Sequence, residues 1–203
     1  MTSPAAPAPV RARPAALVAE VFAPAPLVLC LLVLAGWRSA GWTGVLWGLG
    51  TAVLVASLPM LVLSVLARRG MVDGHFVRSR AQRLPVHAAT GVLTALVLAA
   101  ELRLGAPVLV PVTTAFVLLG LLVLLALTLR WKVSAHVAMA ACWAVGLGAL
   151  TAPWAVPLAA PVPVLVALSR VRTGDHTPGQ TVAGALIGVL IGLAHTAAVI
   201  SLG

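Results

Sequence analysis

Residues 107–129 read PVLVPVTTAFVLLGLLVLLALTL and carry no charged side chain. An α-helix of about 20 consecutive apolar residues crosses the hydrocarbon core of a bilayer, and this stretch is long enough to do so. Inside lipid the backbone has to satisfy its own hydrogen bonds, which an α-helix does within one segment. The stretch therefore predicts a transmembrane helix.

Six more apolar runs lie before and after this helix. They cover residues 21–37, 43–67, 85–100, 136–150, 154–168 and 181–202. Several are shorter than the roughly 20 residues of a full span, and the prolines of the run over 154–168 predict a kinked or partly irregular helix. We predict an all-α fold, a polytopic integral membrane helical bundle of six to seven transmembrane helices.

The whole chain has the composition of a membrane protein. Of its 203 residues, 62% are hydrophobic and 8% are charged, whereas soluble proteins have about 45–50% apolar and about 25% charged residues. This composition excludes a soluble domain and a disordered chain. The net charge is +9, but the basic residues lie in short gaps between apolar runs, so we expect the bilayer as a partner and no nucleic acid.

The sequence divides into a tail and one membrane domain. Residues 1–20 are rich in Ala and Pro and predict a disordered N-terminal tail; a cleaved signal peptide is the less supported alternative. Residues 21–203 predict a single transmembrane domain. The gaps between its runs alternate between basic and nearly uncharged, and the positive-inside rule puts the basic side in the cytoplasm. We therefore expect a multi-pass protein of the plasma membrane.

Ionisable residues are concentrated in three clusters, the first of which reads DGHFVRSRAQRLP from residue 73. Its arginines are Arg78, Arg80 and Arg83. Three guanidinium groups this close could surround a phosphate through charge-assisted hydrogen bonds. The alternative is an ordinary basic cytoplasmic loop. His75 and His87 flank this cluster and could line its entrance, although we expect loop or helix-end roles for them.

The second cluster reads RWKVSAH over residues 130–136. Ser134 and His136 stand where an apolar run begins. A helix N-terminus offers free N–H groups and the positive end of its dipole to an anion, and a histidine there could protonate a leaving oxygen. The alternative is a loop with a helix-capping serine.

The third cluster reads SRVRTGDHTPGQ and starts at residue 169. A histidine that precedes a membrane helix, with arginines six and four residues upstream, suits nucleophilic attack on phosphorus. His176 would attack and form a phosphohistidine, while Arg170 and Arg172 would stabilise charge on the phosphoryl oxygens. Gln180 follows one helical turn later and could orient the imidazole ring.

These clusters resemble the type 2 phosphatidic acid phosphatase superfamily, which also contains acid phosphatases and vanadium haloperoxidases. The third cluster is similar to the family's Ser-Arg, five residues, His, three residues, Asp. Ser169, Arg170 and His176 match at this spacing, and Gln180 stands where the family usually has Asp. The resemblance covers about residues 73–188, and this motif is its most specific part.

The other two clusters resemble the family's motifs less closely. The second is similar to Pro-Ser-Gly-His, and reads Val-Ser-Ala-His over residues 133–136. The first is only loosely similar to Lys, six residues, Arg-Pro. Phe76 occupies the lysine position, and Leu84 separates Arg83 from Pro85.

The resemblance implies a role for each cluster. His176 would be the nucleophile, and His136 would protonate the leaving oxygen and then activate water. Arg170 and Arg83 would bind phosphate with help from Ser134. This chemistry needs neither metal nor cofactor, and the sequence contains no His/Cys/Asp/Glu set with metal-ligand spacing.

Two residues mark departures from the family pattern. Lys132, which is the only lysine in the chain, is our candidate for the charge that the first motif lacks. Gln180 can accept a hydrogen bond from the His176 ring as an aspartate would, but it supplies no negative charge.

The leading hypothesis is a membrane-embedded phosphatase that hydrolyses a lipid or isoprenoid phosphate or diphosphate through a phosphohistidine intermediate. Its site would lie on the cytoplasmic face. One alternative is a terpene-synthase-like cyclase that acts on a prenyl diphosphate. Another is a non-catalytic protein that binds or transports a lipid phosphate.

Overall fold

The computed structural model describes residues 13–72 and 80–202, and every regular element in these two stretches is a helix. Side chains are described for residues 14–72 and 84–202. The helices are α1 (Arg13–Val21), α2 (Pro24–Ala52), α3 (Leu58–Arg68), α4 (Arg80–Leu104), α5 (Leu109–Thr128), α6 (Ala135–Leu150), α7 (Ala155–Ala159), α8 (Pro161–Arg172) and α9 (Pro178–Leu202). A π-helical stretch, Val53–Ser57, joins α2 to α3. The prediction of an all-α fold is confirmed.

Helix α2 contains the first reversal of the chain. Gly41 has a φ of 57°, which glycine adopts without the clash that a Cβ would cause. The two arms of α2 then lie against each other. A methyl group on Gly36 would collide with the carbonyl oxygen of Gly44, and one on Gly48 would collide with that of Leu32. The apolar stretch from α2 to α3 is therefore a hairpin of two antiparallel passes.

The described part of the chain contains five helical stretches long and apolar enough to cross a membrane. They are Pro14–Arg68, Leu84–Leu104, Leu109–Thr128, Ala155–Arg172 and Pro178–Leu202. The first contains the α2–α3 hairpin, and Ala135–Leu150 is a shorter apolar helix. If the hairpin counts as two passes and the shorter helix as one, the described residues run through the bundle seven times. Five stretches meet the length of a full span, so six to seven membrane helices stay a prediction.

The loops before α6 and α9 meet at one end of the bundle. The ammonium group of Lys132 donates a hydrogen bond to the backbone oxygen of Asp175 at 2.5 Å. The N–H of Ser134 donates to the backbone oxygen of Gln180 at 3.3 Å. We call this end the polar rim and define it as residues 130–136 and 169–180.

The opposite end is identified by the turns that lie there. The N–H of Leu109, at the start of α5, donates to the hydroxyl of Ser39 in the α2 turn at 3.3 Å. Because successive passes alternate in direction, the end of α3 at Arg68 and the start of α4 lie on the side of the polar rim. The basic gaps of the sequence therefore share one end of the bundle.

Close packing of α9 on α6 sets the level of the two histidine-bearing segments. A methyl group on Gly184 would lie 2.7 Å from the carbonyl oxygen of Ser134, and one on Gly188 would collide with that of Ala138. Glycines spaced four residues apart let helix backbones approach in this way in membrane proteins. The starts of α6 and α9 are thus held together at the polar rim.

The structure has a helix where we expected the end of a disordered tail. Residues 13–20 of the predicted tail belong to α1, which packs on α8 with Ala15 and Ala19 buried. The hydroxyl of Ser169 donates to the carbonyl oxygen of Ala15 at 2.5 Å. The prediction is therefore wrong for these eight residues, because their alanines pack against the apolar surface of α8. Residues 1–12 lie outside the described residues.

The proline-rich run forms two helices instead of one. Helix α7 ends at Ala159, and α8 begins with Pro161 in its first turn, a position that proline tolerates because its missing N–H would be unpaired there. The predicted irregularity is present, and α8 still delivers Ser169 and Arg170 to the polar rim.

Candidate active site

His176 is held by a glutamine one turn along the chain. Its Nδ1 lies 3.2 Å from Oε1 of Gln180, and the same oxygen accepts the N–H of Thr177 at 3.2 Å. An amide oxygen only accepts hydrogen bonds, so Nδ1 of the imidazole carries the proton. In this tautomer Nε2 keeps its lone pair, as a nucleophile requires.

Arg170 is buried in the last turn of α8 beside this histidine. Its guanidinium lies 3.2 Å from Oδ2 of Asp175, which also accepts the hydroxyl of Thr173 at 2.5 Å. The backbone oxygen of Arg170 accepts the N–H of Asp175 at 3.1 Å and that of His176 at 3.2 Å. The loop therefore folds back on the arginine and keeps the imidazole near the guanidinium.

Ser134 and His136 occupy the N-terminus of α6. Ser134 is the residue preceding the helix, with extended backbone angles, but its hydroxyl does not cap the helix. This hydroxyl is buried and has no hydrogen-bond partner within the described residues. The structure thus does not support the capping alternative, and it leaves a buried donor beside the positive end of a helix dipole, where an anion would be stabilised.

The second and third clusters meet at one cavity. It has a volume of about 200 Å³, and its polar lining includes His136, Arg170 and His176. Apolar residues of α2, α3, α4 and α5 form most of the remaining wall. Both predicted catalytic histidines and one predicted phosphate-binding arginine therefore face the same space.

Four other predicted residues do not line the cavity. Ser134 directly precedes the lining residues Ala135 and His136, and Gln180 is joined to the site by its hydrogen bond to His176. Lys132 is half-buried and bonded to the backbone of Asp175. Arg172 is exposed at the end of α8, and the structure does not bring it into the cavity.

The first cluster is only partly visible in the structure. Arg78 lies outside the described residues. Arg80 and Arg83 belong to the first turn of α4, but their side chains are outside the described ones. Their backbone positions put them on the side of the polar rim, and their phosphate-binding roles stay predictions.

His87 was not among the predicted site residues, yet it lines the catalytic cavity. It stands on α4, four residues after Arg83, and residues four apart share one face of a helix. That spacing was the signal in the sequence. The structure favours the entrance-lining alternative for His87 over the helix-end role, since residue 87 lies within the second turn of α4 and its side chain borders the cavity. His75 lies outside the described residues.

The arrangement suits the chemistry of an anion. The imidazoles of His87, His136 and His176 and the guanidinium of Arg170 line one cavity, which the first residues of α6 also border, so a phosphorus centre could be bound and attacked there. Among the residues that the structure describes, no group of three or more His, Cys, Asp or Glu could hold a metal ion.

One comparison with known proteins gives a match. The family model described as the PAP2 superfamily matches residues 112–200. The matched segment includes the second and third clusters but not the first, the one that fits the family motifs least. No curated protein and no solved structure matches the chain.

Proposed function

We propose that the chain is a member of the PAP2 superfamily, whose model matches residues 112–200, and that it hydrolyses a lipid or isoprenoid phosphate or diphosphate through a phosphohistidine intermediate. The family supports a phosphatase-type activity on phosphate esters. The several apolar helices that surround the site support the bilayer as the source of the substrate. A lipid headgroup could then reach the polar rim while its chain stays among apolar side chains.

The first step is attack by His176 on phosphorus. Its Nε2 forms the new N–P bond while the bond from phosphorus to the leaving oxygen breaks. The hydrogen bond from Nδ1 to Gln180 supports this role, because it fixes the tautomer and the ring plane. Gln180 carries no charge, so the positive charge that develops on the ring is balanced by the bound phosphate.

Charge on the phosphoryl oxygens is stabilised from two sides. Arg170 offers a buried guanidinium, which is well suited to paired hydrogen bonds with oxygens. Ser134 offers its hydroxyl, and the first N–H groups of α6 point the same way. Asp175, which pairs with Arg170 at 3.2 Å in this structure, would lose part of that contact when phosphate binds. We assign the same task to Arg83 on the resemblance alone.

His136 acts as acid and then as base. Its protonated ring donates to the leaving oxygen, and the neutral ring then removes a proton from the water that attacks the phosphohistidine. The second attack breaks the N–P bond, restores His176 and releases phosphate. The cycle needs no metal ion, and we propose that chelators leave the activity unchanged.

The observation that carries the proposal is the convergence of His136, Arg170 and His176 on one cavity. The test is phosphate release by the detergent-purified protein from prenyl diphosphates, prenyl monophosphates and phosphatidate. His176→Ala should abolish release, and wild type treated with labelled substrate should carry an acid-labile phosphate that this variant lacks. Release that survives in the variant would contradict the proposal.

The same assay separates the alternative functions. A cyclase would convert a prenyl diphosphate into a cyclic hydrocarbon, whereas a phosphatase yields the linear alcohol and phosphate. A binding or transport protein would retain the lipid phosphate without turnover, and His176→Ala would leave its binding intact.

We further propose that the polar rim faces the cytoplasm at the plasma membrane. Arg68, Arg69, Arg130 and Arg172 support this orientation, because they lie on the side of the rim and basic residues favour the cytoplasmic side. An Arg69→Cys variant in sealed vesicles should react with a membrane-impermeant thiol reagent only from the cytoplasmic side. Reaction from the outside alone would reverse the orientation.

A further inference from the structure

A second cavity lies deeper in the bundle than the catalytic one, with a volume of about 170 Å³. The residues that line both cavities are Pro24, Val28, His87, Val117, Leu121 and Ala135. Because these residues come from four helices and border both spaces, the two cavities adjoin. We call the deeper one the interior chamber.

The interior chamber has apolar walls and a polar floor. Its walls include Phe116, Gly120 and Ile191, and its floor includes Thr113 and His195. The floor residues bond to each other, with Oγ1 of Thr113 and Nε2 of His195 3.1 Å apart. An apolar guest would therefore fit along the walls and end at the floor.

The depth of the chamber follows from α5, whose last residue, Thr128, lies at the polar rim end. Thr113 is fifteen residues earlier, which is about 22 Å at the rise of an α-helix. A fully extended peptide spans about 3.6 Å over three backbone bonds, which is about 1.2 Å for each bond. At this advance for each bond, a hydrocarbon chain of about 18 bonds would span the same distance of about 22 Å from the rim end to Thr113. Gly120 lies about halfway, at about 12 Å from the rim end.

We propose that the interior chamber receives the hydrocarbon chain of a single-chain lipid phosphate, either prenyl or alkyl, and that the His195–Thr113 floor limits its length. This inference rests on the proposed function, because the phosphate must lie at the catalytic cavity for the chain to enter. The small volume favours one chain over two. The interior chamber adjoins the cavity that His136, Arg170 and His176 line, so the headgroup and the chain would be held in line.

The chamber should act on selectivity more than on affinity. A chain that leaves the bilayer for the chamber exchanges one apolar environment for another, so the hydrophobic effect contributes little. What changes is packing: a chain that fills the chamber gains contacts with its walls, and a longer one has to force the floor apart. We therefore expect a cut-off in chain length.

Gly120 provides a graded test of this idea. An added Cβ there would meet only the Cδ1 of Ile191, at 3.9 Å, so Gly120→Ala and Gly120→Leu should fold while they narrow the chamber. Gly50→Leu is the matched control, because Gly50 is exposed, borders neither cavity and has no atom within 4 Å of an added Cβ.

The variants are assayed on n-alkyl phosphates from hexyl to eicosyl. Wild type and Gly50→Leu should share one cut-off, near the length that reaches the floor. Gly120→Leu should lose at least about tenfold in kcat/KM for hexadecyl phosphate, relative to hexyl phosphate, with Gly120→Ala between. Identical length profiles for Gly120→Leu and Gly50→Leu, or phosphatidate cleaved as fast as hexadecyl phosphate by all variants, would overturn the inference.

A binding measurement separates this inference from the proposed function. Alkyl phosphonates of the same lengths, which no phosphatase cleaves, are titrated against His176→Ala with Gly120 intact or replaced by Leu. A length cut-off that shifts with Gly120→Leu supports the chamber even if no phosphate release is found. Length-independent binding in both proteins contradicts the chamber, while phosphate release by the wild type would still support the phosphatase.

Discussion

The bundle buries one set of polar side chains at the polar rim and another in the apolar core. The exposed fractions of the two sets are similarly small. At the rim, Arg170 is 3%, His176 7% and His136 8% exposed; in the core, His195 is 1% exposed. The difference is in their partners. Arg170 has a carboxylate beside it and His176 an amide, whereas His195 is bonded to Thr113 and lies edge-on to Phe116.

The core holds a second polar group of the same kind as His195. Glu101 is buried in α4, and one carboxylate oxygen accepts the hydroxyls of Thr51 and Thr114. The two threonine hydroxyls bond one of its oxygens, but they bring no cation to a substrate. What marks the functional site is therefore the convergence of cationic and nucleophilic groups on one cavity, more than the presence of ionisable residues inside the membrane.

Replacing His176 and His195 in turn should give the largest difference in activity between the two sets. With hexyl phosphate, His176→Ala should lose about 10³-fold or more in kcat because the nucleophile is gone. His195→Ala should keep kcat within about threefold on this short substrate and instead lower Tm, as large-to-small changes in a core do. Equal losses of kcat with both folds intact would break the comparison.

A second test exchanges arginine for lysine at the rim. Arg170→Lys keeps the charge but loses the planar fork that binds two phosphate oxygens, and we expect kcat/KM to fall by about 10²-fold. Arg172→Lys is the matched control, since Arg172 is exposed outside the cavity, and it should stay within about twofold of wild type. Similar losses in both variants would mean that Arg172 also binds the phosphate.

Lys132→Ala should have a smaller effect. Its ammonium group holds the loop that carries Asp175 and His176, so its loss should raise KM or lower kcat by about tenfold. A fall in kcat would indicate a positioning role through the loop, and a rise in KM alone would indicate direct phosphate binding. Kinetics close to wild type would remove Lys132 from the site.

The smallest effect is expected for Gln180→Asp. A carboxylate at this position can accept the Nδ1 hydrogen bond and adds a negative charge next to the developing imidazolium, so activity should be kept or increased up to about threefold. Gln180→Leu, which removes the acceptor, should lose about tenfold. Loss of activity in the aspartate variant with the fold intact would contradict the assigned role.

The sequence predicted the membrane helices and the two best-matching clusters because both signals are local. Apolar runs specify spans one by one, and the motif spacing brings Arg170, His176 and Gln180 together over a single loop. Ser134 and His136 meet that loop because of glycine contacts between α6 and α9. The motif resemblance predicted this meeting but not the contacts that produce it.

Other features depend on tertiary contacts that no local pattern contains. α1 is helical because Ala15 and Ala19 pack on α8, although its Ala- and Pro-rich sequence resembles a disordered tail. Gly120 borders the interior chamber only because of the face that α5 turns towards the other helices. The pairing of Arg170 with Asp175 likewise follows from how the loop folds back, because Arg172 is closer to Asp175 in sequence and yet Arg170 forms the ion pair.

The glycine contacts between α6 and α9 have a consequence for motion. They hold the two backbones together, so His136 on α6 and the loop that carries His176 before α9 are fixed relative to each other. The hairpin and α4, which form the other side of the cavity, have no such glycine contacts to this pair among those described. The proposed lipid substrate would therefore be able to displace those walls without altering the separation of the His136 and His176 rings.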